Sequence, residues 1–348
     1  MAHALVALLP ALLFLAALIV MDSFKLVRPA AVGAALFYGA VVALALGPFH
    51  VWLMGATGLD VRPFTRYVSP LTEEAGKALF IAYLLWRRRI GFLVDAAVQG
   101  FAVGTGFAVV ENLAYLREMS AAPVALWIAR GLGTAVLHGA TTAIAAMIAK
   151  SIADRRPGLG PAAILPGLVV GAVVHSAYNH LLLPPLVATA VLLALLPLLV
   201  MTVFNRSEQA TREWVGGGLD LDLELLGLVE SDAFHVTRFG AYLRELRAHF
   251  DGPVVADMFC LLRLKLELAV QAKARLIARE AGLELPVDAD LAATLAERDF
   301  LRGSIGQTGL LALKPLQVTS HRDDWHRHLL SQAGVRARIR QWLGSRRA

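Results

Sequence analysis

The stretch Ser69–Lys77, SPLTEEAGK, places two adjacent carboxylates and a lysine in a segment that otherwise resembles a membrane-spanning helix. A charged side chain near the centre of a bilayer costs about 2.5–3.5 kcal/mol on insertion scales. Glu73, Glu74 and Lys77 therefore need partners or water inside a helix bundle. By default, such buried charges mark a functional site.

The segments around this stretch are long apolar runs. A helix needs roughly 17–25 residues to cross a hydrocarbon core of about 30 Å. Seven runs satisfy this requirement: Ala4–Val20, Ala31–Met54, Val68–Trp86, Leu93–Leu116, Val124–Lys150, Pro161–Leu183 and Leu186–Phe204. The pattern predicts an all-α fold, a transmembrane bundle of about seven spans followed by a soluble helical C-terminal domain.

Charged residues divide the chain unevenly. Residues 1–204 contain 13 of the 33 Lys and Arg residues and 8 of the 27 Asp and Glu residues. Beyond Asn205 the sequence becomes amphipathic, with a run of three glycines at 216–218. We therefore predict a membrane domain at 1–204, a linker at 205–218 and a cytoplasmic helical domain at 219–348.

The positive charges between the runs alternate in number. The first, third, fifth and last connecting segments carry ten Lys and Arg residues, and the other segments carry three. The positive-inside rule then places the N-terminus outside and the C-terminal domain in the cytoplasm. Because these basic residues act as topology signals, the net charge of +6 does not indicate nucleic-acid binding.

Other features narrow the function classes. Cys260 is the only cysteine, which excludes an intrachain disulfide and cysteine-rich zinc modules. Residues 1–20 have no Lys or Arg before their apolar run, so we interpret them as a retained first span rather than a cleaved signal peptide. A polar cluster near the C-terminus is interpreted as a solvated face rather than a metal site: His321, Asp323, Asp324, His326 and His328.

Polar residues within the spans recur at similar depth. Glu73 and Glu74 lie near the outer end of the third span, Glu111 near the outer end of the fourth, and His175 near that of the sixth. His138 lies closer to the middle of the fifth. We expect these side chains to converge in the outer half of the membrane.

Helical spacing supports this convergence, because residues four apart share a helix face. Gly167, Gly171, His175 and Asn179 form one such stripe. Gly100, Gly104, Phe107 and Glu111 form a second, and Arg130, Thr134 and His138 a third. Small residues let helices pack closely in lipid, so the polar groups that share their faces should point into the bundle.

Two kinds of chemistry suit this set. In a hydrolase, a buried carboxylate activates water, and His and Asn side chains position the water and stabilise an oxyanion. Alternatively, His138, His175 and a glutamate such as Glu111 bind zinc, since two histidines and one carboxylate form a catalytic ligand set. The residues leave both open. A non-enzymatic proton-coupled transporter or membrane sensor is the alternative function, because Glu and His chains also serve proton relays.

Four short motifs resemble the PrsW family of bacterial intramembrane proteases over about residues 30–200. They are Glu73-Glu74-x-x-Lys77, Phe107-Ala108-x-x-Glu111-Asn112, the lone His138, and His175-x-x-Tyr178-Asn179-His180. The family is similar to the type II CAAX prenyl endopeptidases, whose motifs are E-E-x-x-x-R, F-x-x-x-H and H-x-x-x-N/B. This chain differs from that wider group at Lys77 and Glu111.

The resemblance implies an intramembrane endopeptidase of the bacterial cytoplasmic membrane. Its substrate would be a single-span membrane protein, such as an anti-sigma factor, cut near the outer face. Glu73 or Glu74 would activate water, His175 would position it, Asn179 would donate to the oxyanion, and Glu111 and His138 would complete the pocket. Zinc is the cofactor considered. The C-terminal domain lies outside the resemblance, and binding a cytoplasmic partner is one role considered for it.

Overall fold

A computed structural model of the chain describes residues 2–22, 24, 26–119, 121–283, 285, 290–316 and 330. Across these residues, every regular element is a helix. The predicted all-α fold is therefore confirmed. The polar cluster at His321–His328 lies outside the described residues.

Ten helices of eight or more residues occur in the described part. They are α1 Ala2–Met21, α2 Pro29–Thr57, α3 Ser69–Trp86, α4 Leu93–Glu118, α5 Val124–Arg155, α6 Ile164–Asn179, α7 Pro185–Glu230, α8 Arg238–Glu245, α9 Gly252–Glu280 and α10 Leu291–Leu313. Two π-helical segments, Phe64–Val68 before α3 and Ala129–Thr134 within α5, interrupt the α-helical geometry. Shorter helical segments are Val61–Pro63, Pro157–Ala163, Asp232–Val236, Leu246–Ala248 and Lys314–Leu316.

Among the described residues, six helical stretches are long and apolar enough to cross a membrane. They are α1, α2, α4, α5, α7 and Gly158–Asn179, which contains α6. The chain is therefore a multi-pass membrane protein. The third predicted span, Val68–Trp86, corresponds to α3, which has 18 residues and a length of about 27 Å. Glu73, Glu74 and Lys77 give α3 three charges, so its composition alone does not identify it as a span. Because α3 packs against α2, α4, α5 and α6, those charges lie within the bundle.

Helix α4 forms the centre of the bundle and packs against α1, α2 and α5. Glycines permit these close approaches. A Cβ atom on Gly104 would lie 2.0 Å from the His138 carbonyl oxygen, and one on Gly167 would lie 2.3 Å from the Ala145 carbonyl oxygen. The small-residue stripes thus bring the backbones of α4 and α6 against α5, which carries His138.

The chain divides into two compact units, Met1–Gln209 and Ala210–Ala348. The structure has continuous helix through residues 205–218, where the sequence predicts a linker with a flexible triple glycine. Three glycines do not prevent a helix, since each costs only about 1 kcal/mol relative to alanine. The division at 204 and 219, and the linker role of the segment between, remain predictions.

The second unit contains the end of α7 together with α8, α9 and α10. Val229 packs against Leu262 and Leu266 of α9, and Asp222 forms a 2.7 Å ion pair with the buried Lys273. Helices α9 and α10 pack along each other. The amphipathic sequence beyond Asn205 does not form one continuous helix, because the 3-10 turn Asp232–Val236 separates α7 from α8.

Candidate active site

Glu74, in the second turn of α3, is the most heavily bonded group of the intramembrane cluster. Its Oε1 atom accepts hydrogen bonds from Lys77 Nζ at 2.6 Å, from Thr141 Oγ1 at 2.9 Å and from His175 Nδ1 at 2.9 Å. Glu74 and Lys77 are both buried, so each charge compensates the other. Through these contacts Glu74 connects α3 to α5 and α6.

Glu73 is equally buried but differently bonded. Ser69 Oγ donates a short hydrogen bond to Glu73 Oε1, whereas Oε2 has no hydrogen-bond partner among the described residues. This free oxygen lies 3.9 Å from His138 Nδ1 and 3.9 Å from His175 Nε2. A buried carboxylate oxygen without a partner calls for an explanation such as a catalytic role, a water or an ion. Glu73 therefore presents a free acceptor to the space between two imidazoles.

His138 on α5 is held from both sides. Its Nε2 lies 3.0 Å from Glu111 Oε2, and because a carboxylate only accepts, Nε2 carries the proton. Nδ1 then has the lone pair, which faces Lys77 Nζ at 3.1 Å. The side chain of Glu111 is 25% exposed and that of His138 is 1% exposed. The buried cluster is thus most accessible beside Glu111.

The two imidazoles have matching environments. Glu74 accepts from Nδ1 of His175, and Glu111 accepts from Nε2 of His138. The rings meet edge to face with centroids 4.8 Å apart. Each histidine therefore has one nitrogen fixed by a carboxylate and directs the other toward Glu73, an arrangement that sets the tautomer of metal-binding histidines in proteins.

The remaining donor atoms suit a metal ion. Glu73, His138 and His175 each offer one ligand atom, and the three atoms lie within 4.8 Å of one another. The unpartnered Glu73 Oε2 and the lone pair on His175 Nε2 are open to a ligand, whereas His138 Nδ1 faces Lys77 and must release that contact. Two nitrogens and one oxygen form a donor set found in catalytic zinc sites. The site therefore fits a metal.

All residues of this cluster lie within the part of the chain that matches a known protein family. The profile described as PrsW family intramembrane metalloprotease matches residues 24–204. The chain belongs to the PrsW family. It is thus an intramembrane protease, a hydrolase, rather than the transporter or sensor that the sequence left as the alternative. Comparison with curated proteins and with solved structures gave no significant match.

In this PrsW-family protein, five of the sequence-predicted residues meet in one cluster, and they are Glu73, Glu74, Glu111, His138 and His175. Asn179 does not join them. Its Nδ2 donates to the carbonyl of Thr65 at 2.9 Å. Thr65 lies in the π-helical segment Phe64–Val68 before α3. Ser176 Oγ donates to the neighbouring Arg66 carbonyl at 2.6 Å. The C-terminal end of α6 is thereby attached to that segment, and an oxyanion role for Asn179 remains a prediction.

Two polar residues that bond to the cluster were not predicted from the sequence. Thr141 is fully buried and donates to Glu74, and Ser69 donates to Glu73. Helical spacing offered a signal, because Thr141 lies one turn after His138 and Ser69 one turn before Glu73. Hydroxyl residues are common in membrane helices, however, so the spacing alone does not distinguish them.

Proposed function

We propose that this PrsW-family protein hydrolyses a peptide bond in a single-span membrane protein near the outer face of the bilayer. The observation that carries the proposal is the free Oε2 of Glu73, buried and 3.9 Å from a nitrogen of each oriented imidazole. A proton acceptor in such a place can take the proton of an attacking water. An anti-sigma factor is one substrate of the proposed class.

The surrounding residues have distinct roles in this proposal. Without a bound metal, Glu73 would accept the proton of the water and return it to the leaving amine. With a metal bound at its Oε2 atom, Glu73 would instead serve as a ligand. Glu74 holds His175, and Glu111 holds His138, so that both imidazoles keep the tautomer that faces Glu73. Lys77 neutralises Glu74 and places a positive charge within the cluster, where it offsets negative charge that develops during hydrolysis.

The residues that would hold a metal are Glu73, His138 and His175. Zinc held by these residues would supply Lewis-acid polarisation of the scissile carbonyl and a more acidic bound water. We propose zinc because the donor set is two imidazoles and one carboxylate. Glu111, which the sequence predicted as a possible ligand, instead contacts His138 Nε2. There it would orient the His138 ring, whose other nitrogen would bind the metal.

The proposed location is the bacterial cytoplasmic membrane, with the N-terminus outside and the C-terminal unit in the cytoplasm. The distribution of ten against three basic residues between alternate connections supports this orientation. The lipid bilayer surrounds the six candidate spans. A cytoplasmic partner for the C-terminal unit belongs to the same proposal.

The deciding experiment is cleavage of a panel of single-span bacterial membrane proteins by the purified protein in detergent. Wild type is compared with Glu73→Gln and with Glu118→Gln, a control at an exposed glutamate at the end of α4. We expect cleavage by wild type and the control and none by Glu73→Gln. Cleavage by Glu73→Gln at the wild-type rate would overturn the assignment. Sensitivity to a chelator, reversed by zinc, tests the metal separately.

A further inference from the structure

A second polar chain leads from the active site to the N-terminal helix. Glu111 Oε2 lies 3.3 Å from Arg130 Nη2, and Arg130 Nε donates to Asn112 Oδ1 at 3.0 Å. Asn112 Nδ2 in turn donates to the carbonyl of Ala7 in α1 at 2.7 Å. Side chains from α4 and α5 thus link the backbone of α1 to the carboxylate that binds His138.

Adjacent positions on α4 serve the two ends of this chain. Successive residues of an α-helix point about 100° apart, so Glu111 faces His138 while Asn112 faces α1. Arg130 contacts both, with Nε on Asn112 and Nη2 on Glu111, and its guanidinium stacks 3.5 Å from the Tyr115 ring centroid. These three contacts hold the guanidinium between Glu111, Asn112 and the Tyr115 ring.

The backbone of α1 also packs directly on the segment that carries Arg130. A Cβ atom on Gly131 would lie 1.9 Å from the carbonyl oxygen of Val6. Ala7 and Ala11 on the same face of α1 are almost completely buried. This contact falls within the π-helical turn Ala129–Thr134, and π-helical turns occur frequently at functional sites.

We propose that Arg130 is a positioning residue that holds the Glu111 carboxylate against His138, and that α1 supports Arg130 through Asn112. The family match begins at residue 24. Helix α1 is therefore a part of the site that the match does not include. The catalytic consequence rests on the proposed function, but the arrangement can be measured without any substrate.

The physical argument concerns the charge of Glu111. A carboxylate in this largely buried position needs compensation, and Arg130 supplies the cation beside the oxygen that accepts from His138. Without the cation, the Glu111 carboxylate turns toward its exposed side, and its bond to His138 Nε2–H weakens. The proton on Nε2 would then exchange more readily with water.

The test follows the Nε2–H proton of His138 by NMR. The full-length protein, labelled with ¹⁵N-histidine, is studied in detergent with chelator present, so that metal does not contribute. The His138→Gln variant assigns the signal. We expect a downfield, slowly exchanging Nε2–H in wild type, and exchange roughly tenfold faster or more in Arg130→Gln. The matched control is Arg62→Gln, an exposed arginine outside the cluster, which should leave exchange unchanged.

Two further variants keep the test decisive if Arg130→Gln does not fold. Arg130→Lys retains the positive charge but not the planar guanidinium that contacts both Glu111 and Asn112. Asn112→Ser retains Arg130 but removes the amide that links it to the Ala7 carbonyl of α1. Both should speed exchange by smaller factors, with Asn112→Ser showing that α1 contributes. The proposal is overturned if wild type lacks a protected Nε2–H, or if exchange in the variants that fold stays within about twofold of wild type. Absence of cleavage by wild type would contradict the proposed function while leaving this result intact.

Discussion

Glu74 and His175 lie 101 residues apart in the chain and are joined by a 2.9 Å hydrogen bond between Oε1 and Nδ1. Glu73, the next residue, directs a free oxygen toward the other nitrogen of the same ring at 3.9 Å. Two neighbouring glutamates thus face the two different nitrogens of the His175 imidazole. The structure consequently separates a fully bonded carboxylate, that of Glu74, from one with an open oxygen, that of Glu73.

Glu73→Gln should abolish activity without loss of stability. The change removes the proton acceptor, and general acid–base groups contribute typically about 10²–10⁴-fold. It also removes a buried charge whose Oε2 has no partner in the described structure, so the thermal unfolding midpoint measured with a chelator present should stay the same or rise. Cleavage rates and thermal unfolding in detergent measure both effects. A lowered midpoint would indicate that Glu73 is mainly structural.

Glu74→Gln should lower stability as well as activity. The substitution leaves Lys77 fully buried without its carboxylate, and breaking a buried ion pair costs about 3–5 kcal/mol. The double variant Glu74→Gln/Lys77→Met should recover most of the stability, because neither charge remains, but should not recover activity. A double variant less stable than Glu74→Gln would contradict this account of the pair.

Removal of metal should inactivate the enzyme and lower its unfolding midpoint. A metal that binds only the folded state adds about 2.7 kcal/mol of stability at a free concentration of 100 Kd. His138→Ala and His175→Ala should lose both the bound zinc and the stabilisation by zinc. His249→Ala, at an exposed histidine of the second unit, is the control and should behave as wild type. Elemental analysis and thermal unfolding provide the readouts, and full zinc content in both site variants would exclude this site.

Gly104→Ala should destabilise the bundle and displace His138. The added Cβ would lie 2.0 Å from the His138 carbonyl oxygen, so α4 and α5 must separate. Such overpacking costs typically about 1–3 kcal/mol. Gly47→Ala on α2 is the matched control, since nothing lies within 4 Å of its Cβ position. Thermal unfolding should distinguish them, and equal midpoints would show that the helix contact is not tight.

Cys260 offers a direct test of orientation. It is the only cysteine of the chain and is exposed. With the C-terminal unit in the cytoplasm, a membrane-impermeant maleimide should label it in inverted vesicles but not in intact cells. Asp60→Cys in a Cys260→Ser background is the opposite control and should be labelled in intact cells. The reverse pattern would invert the proposed topology.

Much of this protein can be read from its sequence, because membrane insertion imposes strong chemical constraints. The length of the apolar runs predicted the all-helical multi-pass fold, and the scarcity of charge within spans made Glu73, Glu74, Lys77 and Glu111 conspicuous. Spacing by four residues placed glycines on the helix faces that carry Glu111 and His175. These inferences depend on composition and periodicity, which a sequence displays directly.

The different bonding of Glu73 and Glu74 was decided only by the tertiary structure. Glu73 and Glu74 are chemically identical, and their different bonding depends on which groups α5 and α6 bring to each. Asn179 shares a helical stripe with His175, yet its amide binds a backbone carbonyl of the segment before α3. The link from Arg130 through Asn112 to α1 likewise depends on a π-helical turn and on contacts between distant helices, and neither leaves a periodic signal in the sequence.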